Sequence, residues 1–531
     1  MKKSLLFLLI CISSCSYSIF AQSTITGSLE ANNNFYMRDS ARGAIGTPQY
    51  DNLLSSTDAW LALNYFNFDW KFNAGVRFDL YNNSNLLDPT KATTGIGIGR
   101  FYVEKEIQDL KVTGGHFYDQ IGTGIIFRSY EERSLGIDNA IFGVLARYKF
   151  NDNWFIKGFT GKQKNFFSTY NPIIKGVNFE GFHSFKPEIS VAPGIGLVNR
   201  TLDQSSMDIV VSNIETYPFE QRFIPKYNVF AYTIYNRLTF KDWSWYAEYA
   251  GKTNEAIVNR DGILVDEPGS VIYSTLTYTR STEGRGIGIT GAVKRTENFT
   301  LRTSPNESLL KGQINFLPPL ARQNTYTLTS RYNAATQELG EMAYQVDIIA
   351  TPVKGISLSL NHSNIQDLHN NLLFREIYAD VTYKKNKNWR LTLGGQYLDY
   401  NQLVYESKGD SLLTAITPFA EFIYKFSRKK SIRTEWQYQH NEEDFGSWIY
   451  GLIEYSIAPK WSFAISDMYN IKPKKTAEDL HYYSLFGSYT KGANRFTLSY
   501  VKQVEGVVCT GGVCRFEPAF SGVKLTINST F

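Results

Sequence analysis

The sequence predicts an all-β chain: one large antiparallel transmembrane β-barrel of about 24 strands (22 to 26), with short periplasmic turns and long external loops. Three observations predict it. Apolar and polar residues alternate with period two in run after run, the connections between runs sort into two length classes, and the final run has an apolar face and ends on an aromatic residue.

The alternation is plainest in the second half. Ala420, Phe422, Tyr424 and Phe426 share one face, with Glu421, Ile423 and Lys425 on the other. After the turn at Arg428 to Lys430, Ile432, Thr434, Trp436 and Tyr438 alternate with Arg433, Glu435, Gln437 and Gln439. Ile377, Ala379, Val381 and Tyr383 repeat the pattern opposite Glu376, Tyr378 and Asp380. A soluble sandwich would alternate in the same way, so the connections have to decide. Those at 67–69, 151–153, 241–242, 282–284, 354–355 and 428–430 are tight, whereas those near 40–56, 82–94, 118–137, 201–225, 257–269 and 304–324 are long. A transmembrane barrel sorts its connections this way, and a sandwich has no reason to. At the C-terminus, Val523, Leu525, Ile527 and Phe531 form an apolar face that matches the insertion signal of outer-membrane barrels.

Composition supports a single domain at 23–531, although 531 residues would ordinarily suggest several soluble ones. Aromatic residues make up 15% and charged residues 20%, with mean hydropathy −0.28. That excludes a disordered chain and a helical bundle. The formal charge of +5 falls to +3 without Lys2 and Lys3, too mild for nucleic acid. Residues 1–22 read as a signal peptide, with basic Lys2 and Lys3, an apolar core from Ser4 to Ile12, and a small residue, Ala21, at the cut. An alternative exit is the lipoprotein-like box Ile12-Ser13-Ser14-Cys15. Beyond residue 22 no apolar run reaches the roughly 18 residues a membrane-spanning helix needs. Export leaves a secreted protein, a periplasmic one, or a barrel in a bacterial cell outer membrane, and the strand pattern favours the barrel. Cys509 and Cys514, flanking Gly511-Gly512, read as a disulfide clamping a hairpin tip, with free thiols as the alternative.

Several stretches together resemble a Bacteroidota family of outer-membrane barrels of unknown function, over the whole mature length. They are Gly115-His116-Phe117-Tyr118, the run from Tyr130 to Asn139, Asn315-Phe316-Leu317-Pro318-Pro319-Leu320, Gly340-Glu341-Met342 and the run from Cys509 to Arg515. The chain departs from the family pattern at Asn324, where His is usual, and at Tyr332-Asn333-Ala334, where Pro followed by an aromatic is usual. The resemblance implies a barrel and a phylum but no activity.

Enzyme signatures are missing: there is no nucleophile elbow, zinc-protease helix or phosphate loop, and the six His are scattered. No enzyme activity and no cofactor are expected. The informative segment is 115–139, where Asp119, Arg128, Glu131, Glu132, Arg133 and Asp138 crowd around Gly122 and Gly124. This segment either folds into the lumen as a charged constriction or packs outside as an external loop. Alternation assigns Glu248, Glu376, Asp380, Lys384, Arg390, Glu421, Lys425, Arg433, Glu435, Glu454 and Lys524 to the lumen. Arg128 and Arg133 are expected to pair lumenal carboxylates such as Glu376 or Glu435. With no plug expected ahead of the first strand, a barrel this wide has to be filled by its own loops.

Two functions follow. One is a porin-like channel for passive or gated passage of small solutes. The other is a structural or assembly barrel that docks partners through loops 201–225 and 304–324, with Tyr217, Phe219, Phe223, Phe316 and Leu317 exposed. Expected partners are outer-membrane lipid and lipopolysaccharide, the barrel-insertion machinery and other outer-membrane proteins, with no nucleic acid.

Overall fold

The computed structural model describes residues 23–531 except 309, 385, 410, 411, 475–479, 511 and 512, so the expected signal peptide lies outside the described residues. Twenty-four strands among the described residues close into one barrel. The first nine are β1 (Ser23–Tyr36), β2 (Ser55–Asn67), β3 (Phe72–Ser84), β4 (Thr93–Ile107), β5 (Leu110–Phe117), β6 (Ile141–Lys149), β7 (Trp154–Asn165), β8 (Ser168–Gly181) and β9 (Ile189–Thr201). Next come β10 (Asn228–Phe240), β11 (Trp243–Val258), β12 (Leu264–Thr282), β13 (Arg285–Glu297), β14 (Gly340–Val353), β15 (Ile356–Gln366) and β16 (Leu372–Tyr383). The last eight are β17 (Trp389–Asn401), β18 (Leu412–Lys425), β19 (Lys430–Asn441), β20 (Gly446–Ile457), β21 (Trp461–Pro473), β22 (His481–Lys491), β23 (Asn494–Gln503) and β24 (Phe520–Thr530).

Each strand pairs antiparallel with the next, and β1 pairs with β24 from Ser28↔Thr530 to Tyr36↔Gly522. Closure leaves no sheet edge with unpaired backbone groups, the condition for a sheet to sit in lipid. At the seam, Phe531 donates its N–H to the Gly27 carbonyl at 2.9 Å and accepts from Gly27 at 2.6 Å. Its ring lies over Gly27, where a Cβ would come within 2.3 Å of it. This is the place of the expected insertion signal: Val523, Leu525 and Ile527 face away from the lumen side chains Lys524 and Thr526.

Connections from even to odd strands span at most seven residues (182–188), and the seven longer ones, 37–54, 85–92, 118–140, 202–227, 298–339, 402–411 and 504–519, all lie on the opposite rim. One expected long loop is absent. Strands β11 and β12 leave only 259–263 between them, because their ladder resumes after a register shift and continues through Glu255↔Glu267 to Val258↔Leu264.

Burial is inverted relative to a soluble protein. Ile96, Ile195, Ile234, Ile272, Ile349 and Leu498 are each at least half exposed, while Arg77, Asp79, Arg200, Lys294, Glu341 and Glu376 are at most 2% exposed. An apolar outside and a polar inside is what lipid around a barrel demands. Six of the nine Trp (70, 154, 243, 245, 389 and 461) cluster at the short-turn rim, where a ring can sit between hydrocarbon and water.

Candidate functional site

The lumen is occupied by two loops, 118–140 and 298–339. Loop 118–140 turns inward directly after β5. Two short ladders, Gln120–Ile121 with Phe127–Arg128 and Glu131–Glu132 with Ile137–Asp138, frame it. Gly122 (φ 55°) and Gly124 (φ 101°) bend the first ladder into the left-handed region, and a Cβ on Gly122 would meet Glu248 Oε1 at 2.6 Å. Ile121, Ile125, Ile126 and Phe127 at its tip are fully buried against Phe159, Ile174, Val198, Tyr235 and Tyr246 of the wall. This apolar tip supplies the burial energy, and charges set the position.

Arg77 on β3 is the hub. It binds Asp79 of its own strand at 2.6 and 2.8 Å, Glu131 at 2.5 Å and Asp138 at 2.8 Å. Lys164 also binds Asp138, and Tyr118 donates to it at 2.7 Å. Burial alone would raise the Asp138 pKa, but Lys164 and Arg77 hold it at about 2. Lys157 meets Asp119 at 2.8 Å, Thr123 donates from its N–H (3.1 Å) and its hydroxyl (2.5 Å) to Glu248, and Arg133 pairs Glu30 at 2.8 Å. A guanidinium buried among three carboxylates stabilises the loop only because each charge has a partner.

Of the residues singled out in the sequence, Asp119, Glu131, Arg133 and Asp138 meet lumen-wall partners. Arg128 and Glu132 do not. The Arg128 guanidinium lies between the rings of Tyr130 (4.4 Å) and Phe316 (4.2 Å), joining the two loops by cation–π contact. Glu132 accepts from Ser134 Oγ at 2.7 Å and caps its own turn. The expected pairing of Arg128 and Arg133 with Glu376 or Glu435 does not form. Glu376 accepts from Asn324 of the second loop at 2.7 Å and from Gln396 at 2.6 Å. Glu435 bonds Arg433 and, at 2.5 Å, Gln437 within the wall, and Arg433 also reaches Glu421 at 2.6 Å. Lys384, expected in the lumen, lies in the exposed turn after β16.

Loop 298–339 was expected outside and is inside. Pro and apolar side chains in 304–324 read alike on an exposed loop and in a filled lumen, and here the lumen wall receives them. Leu317 is 6% exposed, and Phe316 packs on Arg128. Backbone bonds Arg128 N–H to Ile314 O (2.8 Å) and Phe316 N–H to Gly124 O (2.9 Å) join the loops. The loop then crosses to the far wall. Leu328 donates its N–H to Gln437 Oε1 at 2.7 Å, and its carbonyl accepts from Gln439 at 2.9 Å. Gln396 donates to Thr329 O at 3.0 Å, and the Tyr326 ring lies 4.2 Å from that of Phe419. At its base the fully buried pair Lys294–Glu341 (2.8 Å) turns Lys294 toward Pro318 O and Thr336 Oγ1.

Sequence reasoning missed Arg77, Lys157, Lys164, Lys294 and the glutamines Gln396, Gln437 and Gln439. Arg77 and Asp79, two apart on one face amid Val76, Phe78 and Leu80, carried the signal: charges on the inward face of a strand whose outward face is apolar.

The hairpin 506–517 completes the filling. Cys509 and Cys514 are disulfide-bonded, and Arg515 donates to the carbonyls of Leu86 and Leu135.

A closed antiparallel barrel with an apolar exterior, a girdle of Trp and a charged lumen is an outer-membrane β-barrel. The chain belongs to DUF6029, a family of unknown function whose profile matches residues 1–531. No curated protein matches it in sequence. Among solved structures it is similar to Acinetobacter baumannii OccAB3 (9% identity, 96% of this chain and 100% of that one, TM-score 0.39). It is also similar to the siderophore receptor PirA from Pseudomonas aeruginosa (7%, 96% and 80%, TM-score 0.44). A third is the outer membrane transporter YddB from Escherichia coli (7%, 95% and 81%, TM-score 0.40).

Proposed function

We propose that this protein is a gated, porin-like channel for small solutes, closed at rest by its own loops, with the long-loop rim facing the exterior of a Bacteroidota cell. The observation that carries this reading is the charge-held seat of loop 118–140. A barrel of 24 strands is wider than the 16- to 18-stranded porins that hold open channels, and Asp119, Glu131, Arg133 and Asp138 fasten into its wall the loop that shares its interior with 298–339. Such a seat can be vacated without breaking a strand. Conductance of the purified barrel in planar bilayers tests it: wild type stays mostly closed, and deletion of 120–135 raises conductance several-fold. Equal conductance for both would defeat the reading.

A docking scaffold is the second reading. It keeps partial support from loop 202–227, where Phe219 is 85% exposed as expected but Tyr217 and Phe223 pack against Val210, Ile214, Ala256 and Leu264, and it loses the support of 304–324.

A further inference from the structure

A cavity of about 360 Å³ lies at the seam, between β1, β2, β24 and the hairpin 506–517, with Arg133 and Ser134 of loop 118–140 contributing to its wall. Most of its charged groups are already paired: Glu30 with Arg133 at 2.8 Å and Glu517 with Arg515 at 2.8 Å. Two are not. Asp58 is 5% exposed; Ser84 hydrogen-bonds to its carboxylate, but its Oδ1 has no hydrogen-bond partner and no cation is ion-paired with it among the described residues. Lys524 Nζ lies 4.2 Å from the centroid of the Phe520 ring and forms no ion pair among the described residues, Glu517 being held by Arg515.

Strand register fixes how far apart these two groups sit. Asn32 of β1 is opposite Asp58 of β2, and Asn34 of β1 is opposite Lys524 of β24. Asp58 and Lys524 are therefore two strands apart and offset by two residues. At roughly 4.8 Å between strands and 3.4 Å per residue, that is about 12 Å between Cα atoms. Both side chains line the same cavity, and the amides of Asn32 and Asn34 stand between them. A chain of two or three residues spans about 7 to 11 Å fully extended, which both side chains can meet by leaning inward.

We propose that this cavity binds a short zwitterionic peptide of two or three residues, its ammonium on Asp58 and its carboxylate on Lys524. Asn32 and Asn34 face its peptide groups, and Trp60 and Tyr50 offer rings to its side chains. A neutral sugar would leave Asp58 and Lys524 without counter-charges, and a free amino acid is too short to reach both. Each end instead receives a charge-assisted hydrogen bond. The assignment rests on the channel reading insofar as the ligand enters from the long-loop rim.

Isothermal titration of the purified full-length barrel in detergent tests it, using trialanine, N-acetyl-trialanine, trialanine amide and maltotriose. Trialanine is expected to bind, with each single cap weakening it by roughly tenfold or more, the loss of one charge-assisted contact. Asp58→Asn should remove the preference for a free amine and leave the affinity for N-acetyl-trialanine unchanged, and Lys524→Met should do the same for the carboxylate. Heat-resistant gel mobility checks that the variants fold, and the capped peptides carry the test on wild type if they do not. Absence of trialanine heat at millimolar concentration, equal binding of capped and free peptides, or equal binding of maltotriose would overturn the site. These heats are independent of conductance. A barrel that opens on deletion of 120–135 but ignores trialanine refutes the peptide site alone, and one that binds trialanine but never conducts refutes passage alone.

Discussion

Loop 118–140 meets the barrel wall through ions, with Arg77, Lys157, Lys164 and Glu30 receiving Glu131, Asp119, Asp138 and Arg133. Loop 298–339 meets it mainly through amides and rings: Gln396, Gln437 and Gln439 on its backbone, Phe419 under Tyr326, and Tyr378 under Arg322 at 3.9 Å, with an ion pair, Arg331 to Asp444 at 3.8 Å. The lumen is shared, but the reversibility differs. Amide bonds to a main chain leave buried N–H and C=O groups orphaned if the loop departs. Ionic seats can be re-hydrated once water enters. On the channel reading proposed above, the second loop serves as part of the wall and the first as the removable part.

The comparison can be broken most forcefully at Lys294. Lys294→Ala leaves Glu341 fully buried without its cation, and removal of one partner of such a pair costs about 3 to 5 kcal/mol. The temperature at which the barrel loses its heat-resistant mobility should drop clearly; an unchanged temperature would mean that loop 298–339 is not structural. The next effect falls on the other loop. Arg77→Ala leaves Asp79, Glu131 and Asp138 facing one another with Lys164 beside Asp79 and Asp138 and Arg133 on Glu131 as the remaining cations. The open fraction in single-channel recordings should rise by roughly tenfold or more, equivalent to about 1.4 kcal/mol, while heat resistance changes less than in Lys294→Ala. The reverse order would invert the assignment of wall and gate.

Acid sharpens the same contrast. The Asp138 pKa is held at about 2, below the ordinary aspartate value of 3.8. A depressed carboxylate contributes stability above its unfolded pKa and loses it as pH falls through the folded one. Closure should therefore be flat from neutral pH to about 4 and loosen toward pH 2. Conductance that already rises between pH 7 and 5 would place the controlling group elsewhere. The smallest expected effect is Gln439→Leu, which removes one amide bond to Leu328 O and one at 3.2 Å to Thr417. It should cost about 1 kcal/mol in thermal or denaturant unfolding and leave gating unchanged.

The strands were legible because period-two alternation is local: Glu421, Arg433 and Glu435 declared their face from their neighbours alone. The inward turn of 118–140 was legible from Gly122 and Gly124 beside so much charge. Its partners were not, since Arg77 meets Asp138 only through the closed register of the sheet, 61 residues away. Loop 298–339 was misplaced for a related reason. Phe316 and Leu317 look the same whether they await a partner or fill a lumen, and Gln437 and Gln439 advertise only a polar face. The two unpaired charges at the seam stayed hidden because Asp58 and Lys524 become neighbours only when the first and last strands meet.

That meeting has a consequence for how the molecule is made. The ladder from Ser28↔Thr530 to Tyr36↔Gly522 can form only once β24 is available, whereas the two loops that occupy the interior lie between β5 and β6 and between β13 and β14. Leu317 and Tyr332 of the second loop are 6% and 3% exposed, and the backbone of that loop is bonded to Gln437 and Gln439 of the wall. Seating of the second loop is therefore expected to precede closure, whereas the removable first loop can seat afterwards. The nascent sheet wraps around the second loop, and a chain in which that loop is wrongly packed would be stalled with its first and last strands still apart.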